Sequence, residues 1–408
     1  MKRIILSVFA AAVTAAWAIP AYAGDVTFSG QYRLRGEYVE NNDFNDDAND
    51  ATDMWTQRVR LTANAKAADD VSAKITLQDT RQWGTIGTLN TDFTPAPNTL
   101  DLHEAYLNVT GIFGTPVDFR AGRQELVYGD ERLIGAVNWS NNGQAFEALK
   151  FMYSNDVVNV DVFTSLITED ATAFDDDTTF HGIYATLKQL VPNNTLDVYF
   201  LNLNGNSSAV NNLYTVGARL KGAVAGVDYT AEVPFQFGDA SNGADISAYA
   251  FAVKAGYTLP TPMKIRVGAE YDYASGQDDA AVTADVTAFN QLFPTNHDKF
   301  GIGDVVNTWS DISAWSVNAS VDINEKLRLF VAYWDYTEAE TLAAGESDDL
   351  GSEIDVVATY KYNNNVTLEA GAARYMPGDG RVDPTADPVA GTPDDARDWA
   401  YVMITGNF

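Results

Sequence analysis

Apolar and polar side chains alternate with a period of two along most of this chain, as expected of strands that turn one face to an apolar medium and the other to water. In the last eleven residues Ala400, Val402, Ile404 and Phe408 fall on one parity, and Trp399, Tyr401, Met403, Thr405 and Asn407 on the other. Near the start, Phe28, Tyr32, Leu34 and Tyr38 oppose Ser29, Gln31, Arg33, Arg35 and Glu37. About 18 such segments are predicted, over 26–40, 54–66, 71–83, 99–110, 116–128, 143–153, 157–168, 178–190, 194–204, 210–221, 226–237, 245–259, 262–274, 309–322, 325–338, 351–362, 365–376 and 398–408. The connections between them alternate in kind. Short ones such as Asp69-Asp70, Gly114-Thr115 and Asn363-Asn364-Asn365 carry the residues that favour tight reversals. Long ones, including 41–53, 129–142, 275–308 and 377–397, lie between them. Short turns on the periplasmic side and long loops outside are the asymmetry of an outer-membrane barrel. The pattern therefore predicts an all-β fold, an antiparallel up-and-down transmembrane barrel, closed by a last strand that ends on Phe408.

The parity is interrupted in three places. Asp79 and Arg81 share the apolar parity of 71–83, which suggests an early exit from the membrane or a bulge in that strand. Gly122 marks a second candidate bulge, one that would turn Arg123 inward, and 143–153 is ambiguous around Lys150.

A barrel of this kind needs an export signal. Met1-Lys2-Arg3, the apolar run Ile4 to Ile19 and Ala21-Tyr22-Ala23 form a secretory leader with a small-x-small cleavage site. Residues 1–23 are thus read as a signal peptide and 24–408 as one barrel domain in the bacterial outer membrane. Mean hydropathy is slightly negative, which is no objection, because lipid-facing and lumen-facing positions average out. The absence of cysteine leaves stability to a closed hydrogen-bond network, and 20 Tyr, 20 Phe and 8 Trp suit interfacial girdles. Loss of Lys2 and Arg3 with the leader takes the formal net charge two units below −30. A balance that negative excludes nucleic acid as a partner.

The distribution of charge says more than its sum. If the apolar parity faces lipid, the lumen receives Arg33, Arg35, Arg58, Arg60, Arg120, Arg219, Lys264, Arg266 and Arg328, accompanied by acids such as Glu104, Asp161, Glu232 and Glu270. These can be cross-barrel ion pairs that fill the interior. Collectively they can also select anionic solutes, as rings of Arg and Lys do. The quartet Arg33, Arg35, Arg58 and Arg60 is the part least easily neutralised by local partners. The excess acid lies in the long connections, for example Asp43, Asp46, Asp47 and Asp50, Asp175, Asp176 and Asp177, Glu346 and Asp383. It serves either loop solvation or divalent-cation binding, although no cluster has the full spacing of a calcium loop.

Two stretches go beyond barrel grammar. Ala121-Gly-Arg-Gln-Glu-Leu-Val-Tyr-Gly-Asp-Glu-Arg-Leu-Ile-Gly135 is followed by Asn138-Trp-Ser-Asn-Asn-Gly-Gln-Ala-Phe146. Phe289-Asn-Gln-Leu-Phe-Pro-Thr-Asn-His-Asp-Lys-Phe-Gly301 lies in the longest connection. Both resemble the alginate-export (AlgE-like) outer-membrane porin family. The resemblance implies an 18-stranded barrel with an electropositive constriction for a carboxylated polysaccharide. It also implies Arg123, Glu125, Asp130 and Arg132 as conductance-site candidates. The function expected is a channel passing anionic sugars or polysaccharide by passive, electrostatically selective diffusion. The alternative is a general diffusion porin. An outer-membrane protease or phospholipase would need a base poised by partners, and His103, His181 and His297 are read as structural or exposed, so no enzyme is expected. A soluble carbohydrate-binding β protein is the remaining alternative. The expected partners are outer-membrane lipid and lipopolysaccharide, an anionic carbohydrate or small organic anion, and the barrel-assembly machinery. No cofactor is expected.

Overall fold

A computed structural model of the chain describes residues 25–44, 50–84, 99–169, 177–188, 193–205, 211–278, 285–341, 347–381 and 395–408. The predicted leader lies outside them, as do Asp46, Asp47, Asp175, Asp176, Glu346 and Asp383. Among the described residues no helix is long and apolar enough to cross a membrane, and no three His, Asp or Glu side chains are grouped to hold a metal ion.

The chain runs through β1 (Val26–Glu40), β2 (Thr52–Lys66), β3 (Val71–Gln82), β4 (Thr99–Val109), β5 (Val117–Gln124) and β6 (Phe146–Ser154). It continues through β7 (Val158–Thr168), β8 (Thr178–Leu187), β9 (Asn194–Asn204), β10 (Asn212–Val224), β11 (Val227–Asp239) and β12 (Asp245–Thr258). The last six are β13 (Arg266–Ala274), β14 (Ile312–Asp322), β15 (Leu327–Thr337), β16 (Asp349–Lys361), β17 (Val366–Pro377) and β18 (Arg397–Asn407). Every predicted segment is present, with ends displaced by at most four residues. Each strand pairs antiparallel with its sequence neighbours, and β18 returns to β1, so the 18-stranded sheet has no free edge. Closure satisfies backbone donors and acceptors inside the sheet, which lipid could not do.

At the seam Arg33 lies opposite Thr405 and Arg35 opposite Met403. Phe408 completes the seam. Its N–H donates to Gly30 O at 2.9 Å, and its carbonyl accepts from Gly30 N–H at 2.6 Å. The Phe408 ring lies over Gly30, where a Cβ would collide with it.

Parity in the barrel is as the sequence predicts. Phe28, Leu61, Val162, Phe235, Val317 and Val402 are among the exposed outward side chains, whereas Arg33, Arg58, Gln78, Glu232 and Tyr401 point inward and are buried. The irregularity expected in β3 is in its partner instead. The β3–β4 register shifts between Thr76 and Leu77, which pair with Glu104 and Leu102. His103 is the extra residue of a bulge, and both His103 and Glu104 are buried on the lumen side. Asp79 and Arg81 stay on the outer face and pair with each other at 2.7 Å. Near the rim such charges cost about 0–1 kcal/mol, against about 2–4 at the midplane.

Candidate functional site

Two connections turn into the barrel and meet there: 125–145, between β5 and β6, and 285–311, in the connection between β13 and β14. They contain the two stretches singled out in the sequence. Ile134 and Phe293 form a parallel bridge. Gly135 N–H donates to Phe293 O and Phe293 N–H to Leu133 O, both at 2.9 Å. The Glu131 carboxylate accepts from the Thr295 hydroxyl at 2.6 Å and from Ala136 N–H at 3.0 Å. The Gln144 amide donates to the carbonyls of both segments, Gly135 and Phe293. With these ties the inward backbone finds partners that a dry lumen would deny it. Leu126 and Ile134 pack with the inward Phe146, Phe163 and Phe180 in one buried cluster, and Tyr128 stacks on Tyr184 at 4.6 Å. The inward loops therefore pack as a core against the β6–β9 wall, and the same buried cluster extends to Ala314, Trp334 and Tyr375.

Gly122 lets the chain enter the barrel here. Its φ is 127°, and a Cβ would strike the Ala105 carbonyl; β5 ends two residues later at Gln124, four residues short of the predicted end. The same geometry corrects the expectation for Arg123. It pairs in register with Glu147, on the face of Leu149 and Phe151, which is the outer one. Arg123 binds Glu147 and the Leu102 carbonyl there and does not line the pore. Gly122 is strained locally without reversing the parity of the residue after it.

The arginine quartet holds the first loop. Arg33 donates to Asn138 O (2.8 Å), Ser140 O (3.1 Å) and Asn141 Oδ1 (2.8 Å). Arg58 donates to Asn138 O (3.0 Å), Ser140 O (2.9 Å) and Gln31 Oε1 (2.8 Å). Both are almost fully buried, at 4% and 3% exposure. Among the described residues neither has a carboxylate within ion-pair distance. Arg35 is balanced by Glu37 at 2.8 Å, donates to Trp139 O and lies 4.0 Å over the Trp139 ring. Arg60 bonds Gln78 and Asn138 and lies 3.5 Å from Glu125. Glu125 also accepts from His103 at 2.7 Å. Burial alone would raise the Glu125 carboxyl, but the His103 bond and the Arg60 charge hold it below the ordinary range. The quartet thus clamps residues 138–141 of the inward loop rather than standing free in solvent.

Across the lumen, Asp130 bridges Arg219 and Lys254, and Arg219 also binds Asp197 at 2.9 Å. Burial pushes the Asp130 carboxyl up, and Lys254 and Arg219 together outweigh it, bringing it down to about 2. Arg132 is sealed between Glu270 and Asp272, with its guanidinium 5.2 Å over Trp309. Burial disfavours its charge, but Asp272 and Glu270 prevail and raise it above the usual range. Asp130, Arg132 and Arg219 are therefore anchoring ion pairs; Arg132 and Arg219 are almost fully buried, and Asp130 keeps part of its surface exposed.

Arg266 is held by Asp228 through two bonds of 2.6 and 2.9 Å. Arg328 is more exposed, with Asp322 at 3.8 Å and Ser320 at 2.8 Å. Lys264 was expected on a strand but lies, exposed and with φ 44°, in the turn before β13. Pro260 and Pro262 break the ladder, so β13 begins at Arg266 and not at 262. Arg120 faces the lumen near the short-turn end and bonds Asn108 at 3.3 Å.

Between the loops and the β12–β18 wall lies a cavity of about 490 Å³, lined among others by Lys254, Arg266, Glu270, Asn318, Trp334 and Tyr401. Its roof is a stack that sequence reasoning did not single out. The His297 ring lies flat on Trp139, 3.7 Å away and inclined by 5°, and binds Asp304 at 2.9 Å. Trp139 and His297 belong to the two different loops, and only the family resemblance marked their stretches. His103 was also missed as a lumen residue, because the bulge that turns it inward leaves no mark in the periodicity. His181, by contrast, sits on the outer face of β8 beside Thr179.

The family model described as "Alginate export" matches residues 25–384. No curated protein sequence matches the chain. Solved structures from Pseudomonas aeruginosa share the fold. OpdL is 11% identical, with TM-score 0.65 and coverage of 94% of this chain and 99% of its own. OccK8 (OprE) is 12% identical, with TM-score 0.64 over 94% and 98% of the two chains. OccK2 (OpdF), crystallised in complex with glucuronate, is 12% identical, with TM-score 0.62 over 94% and 98%.

Proposed function

The chain belongs to the alginate-export family, and from that membership we propose that this outer-membrane channel passes anionic sugars by passive diffusion, with selectivity set by the basic wall of β1 and β2. Family and fold are those of membrane channels, not enzymes. The observation that carries the reading is the pair Arg33 and Arg58, whose guanidinium groups, among the described residues, bond only the neutral oxygens of Gln31 and the inward loop. Two uncompensated charges in a wall of low dielectric act across a narrow pore with little screening, and fixed cations in such a position favour anions. The path runs through the cavity under the Trp139–His297 stack, where Lys254 and Asn318 offer a cation and an amide to a carboxylated sugar. A neighbour of the same fold has been crystallised with glucuronate, which makes a uronate the first solute to test.

The second reading, a general diffusion porin, is favoured by Glu270, Asp355 and Glu369, which line the same cavity. Reversal potential under a potassium chloride gradient separates the two. The proposal expects clear anion selectivity and faster liposome entry for glucuronate than for a neutral hexose. Cation selectivity, or equal rates for the two sugars, would refute it.

A further inference from the structure

A second cavity, of about 360 Å³, opens at the other end of the same wall, among Asn64, Lys66, Lys74, Tyr106, Asn108 and Arg120, with Asp25 as the one acidic residue of its lining. These residues sit where β2 to β5 join through the short turns at 67–70 and 110–116, the periplasmic mouth of the barrel. Two of the three cations are already engaged. Lys66 pairs with the exposed Asp69 at 2.8 Å and Lys74 with Glu104 at 2.5 Å. Arg120 is different. Its one side-chain bond runs from Nε to Asn108, and among the described residues it has no carboxylate partner. Its guanidinium lies 4.3 Å over the Tyr106 ring, which holds the plane of the fork and, among the described residues, leaves both Nη groups without a protein acceptor. Lys150, opposite Arg120 in register, is tied to Asp161 at 3.2 Å and does not compete.

We propose that this cavity is an anion-docking site that loads carboxylated sugars into the pore from the periplasmic side, with Arg120 receiving the carboxylate. A planar fork with two open N–H edges matches a carboxylate, and the Asn64 and Asn108 amides flank it with groups suited to sugar hydroxyls. The long connections at the opposite mouth carry carboxylates such as the exposed Asp43 and the half-buried Asp50. An anion therefore meets attraction at one entrance and repulsion at the other, which makes association faster from the periplasmic side.

The inference rests on the anion-channel reading, and the test keeps the two apart. Current block by trigalacturonate is measured in planar bilayers on single channels whose orientation is read by labelling S241C from one side; the native chain has no cysteine. Association is expected to be about tenfold faster from the periplasmic face, and R120Q to reduce that rate about tenfold, the effect of one charged hydrogen bond. The rate from the other face is expected to stay unchanged. N108D, which sets a carboxylate beside an intact Arg120, is expected to lower the periplasmic rate similarly and serves if R120Q fails to assemble. Equal rates from both faces, or an unchanged periplasmic rate in either assembled variant, would overturn the docking site. A channel without anion preference that keeps the sided, Arg120-dependent block would refute the selectivity reading alone.

Discussion

Replacing Arg33 and Arg58 together by glutamine tests the clamp and the selectivity at once. The two residues serve three acceptors on the inward loop, Asn138 O, Ser140 O and Asn141 Oδ1, and share the first two. A hydrogen bond from a charged donor contributes about 1.5–3 kcal/mol net. Five bonds to these acceptors set an upper limit of about 15 kcal/mol; the glutamine amides recover part of this, and relief of burying two guanidinium groups offsets more. A loss of about 3 kcal/mol is the reasonable expectation, which shifts the docking equilibrium of the 138–141 segment about 150-fold. In single-channel recordings the variant should show frequent excursions to a larger conductance that are rare in the native channel. Its reversal potential should move toward cations, because two uncompensated positive charges are gone. An assembled variant with native conductance, no added flicker and native reversal potential would refute both the clamp and the assignment of selectivity to this wall.

Two further outcomes follow from the same geometry. Deleting Phe408 removes both backbone bonds to Gly30 and the ring that covers it. The heat-modifiable, folded fraction should fall several-fold while the selectivity of the channels that do assemble stays native, and native yield would show that the terminal pairing is dispensable. Asp130 makes a pH prediction. Its folded value of about 2 lies below the unfolded carboxylate range near about 4, so its ties to Arg219 and Lys254 stabilise the loop fully above that range and are lost only as pH falls through about 2. Loop flicker should therefore stay flat from pH 7 to about 4, whereas D130N should flicker at pH 7 and, with Lys254 released, favour anions more strongly. An onset of native flicker near pH 6, or a silent D130N, would contradict the assignment.

What the sequence by itself determined is the barrel: period-two alternation and turn chemistry are local properties, and each strand displays them whether or not its neighbours are in place. Strand number, the β18–β1 seam at Phe408, and the inward parity of Arg33, Arg35, Arg58 and Arg60 were all legible in this way, as was the pair of unusual stretches at 121–146 and 289–301. The tertiary structure alone decided what those residues do. Whether Arg132 faces solute or is sealed by Glu270 and Asp272 depends on β13, more than a hundred residues away, and no local pattern encodes that meeting. The same holds for Trp139 on His297 and for the clamp of Arg33 and Arg58 on the loop. Lys264 was misplaced because parity counting assumes an unbroken ladder, and β13 begins only at Arg266; Arg123 was misplaced because a bulge was expected at Gly122, where the ladder keeps its parity. A charge on a strand can be assigned to a face from sequence, but its freedom to meet a solute is set by which loop folds against it.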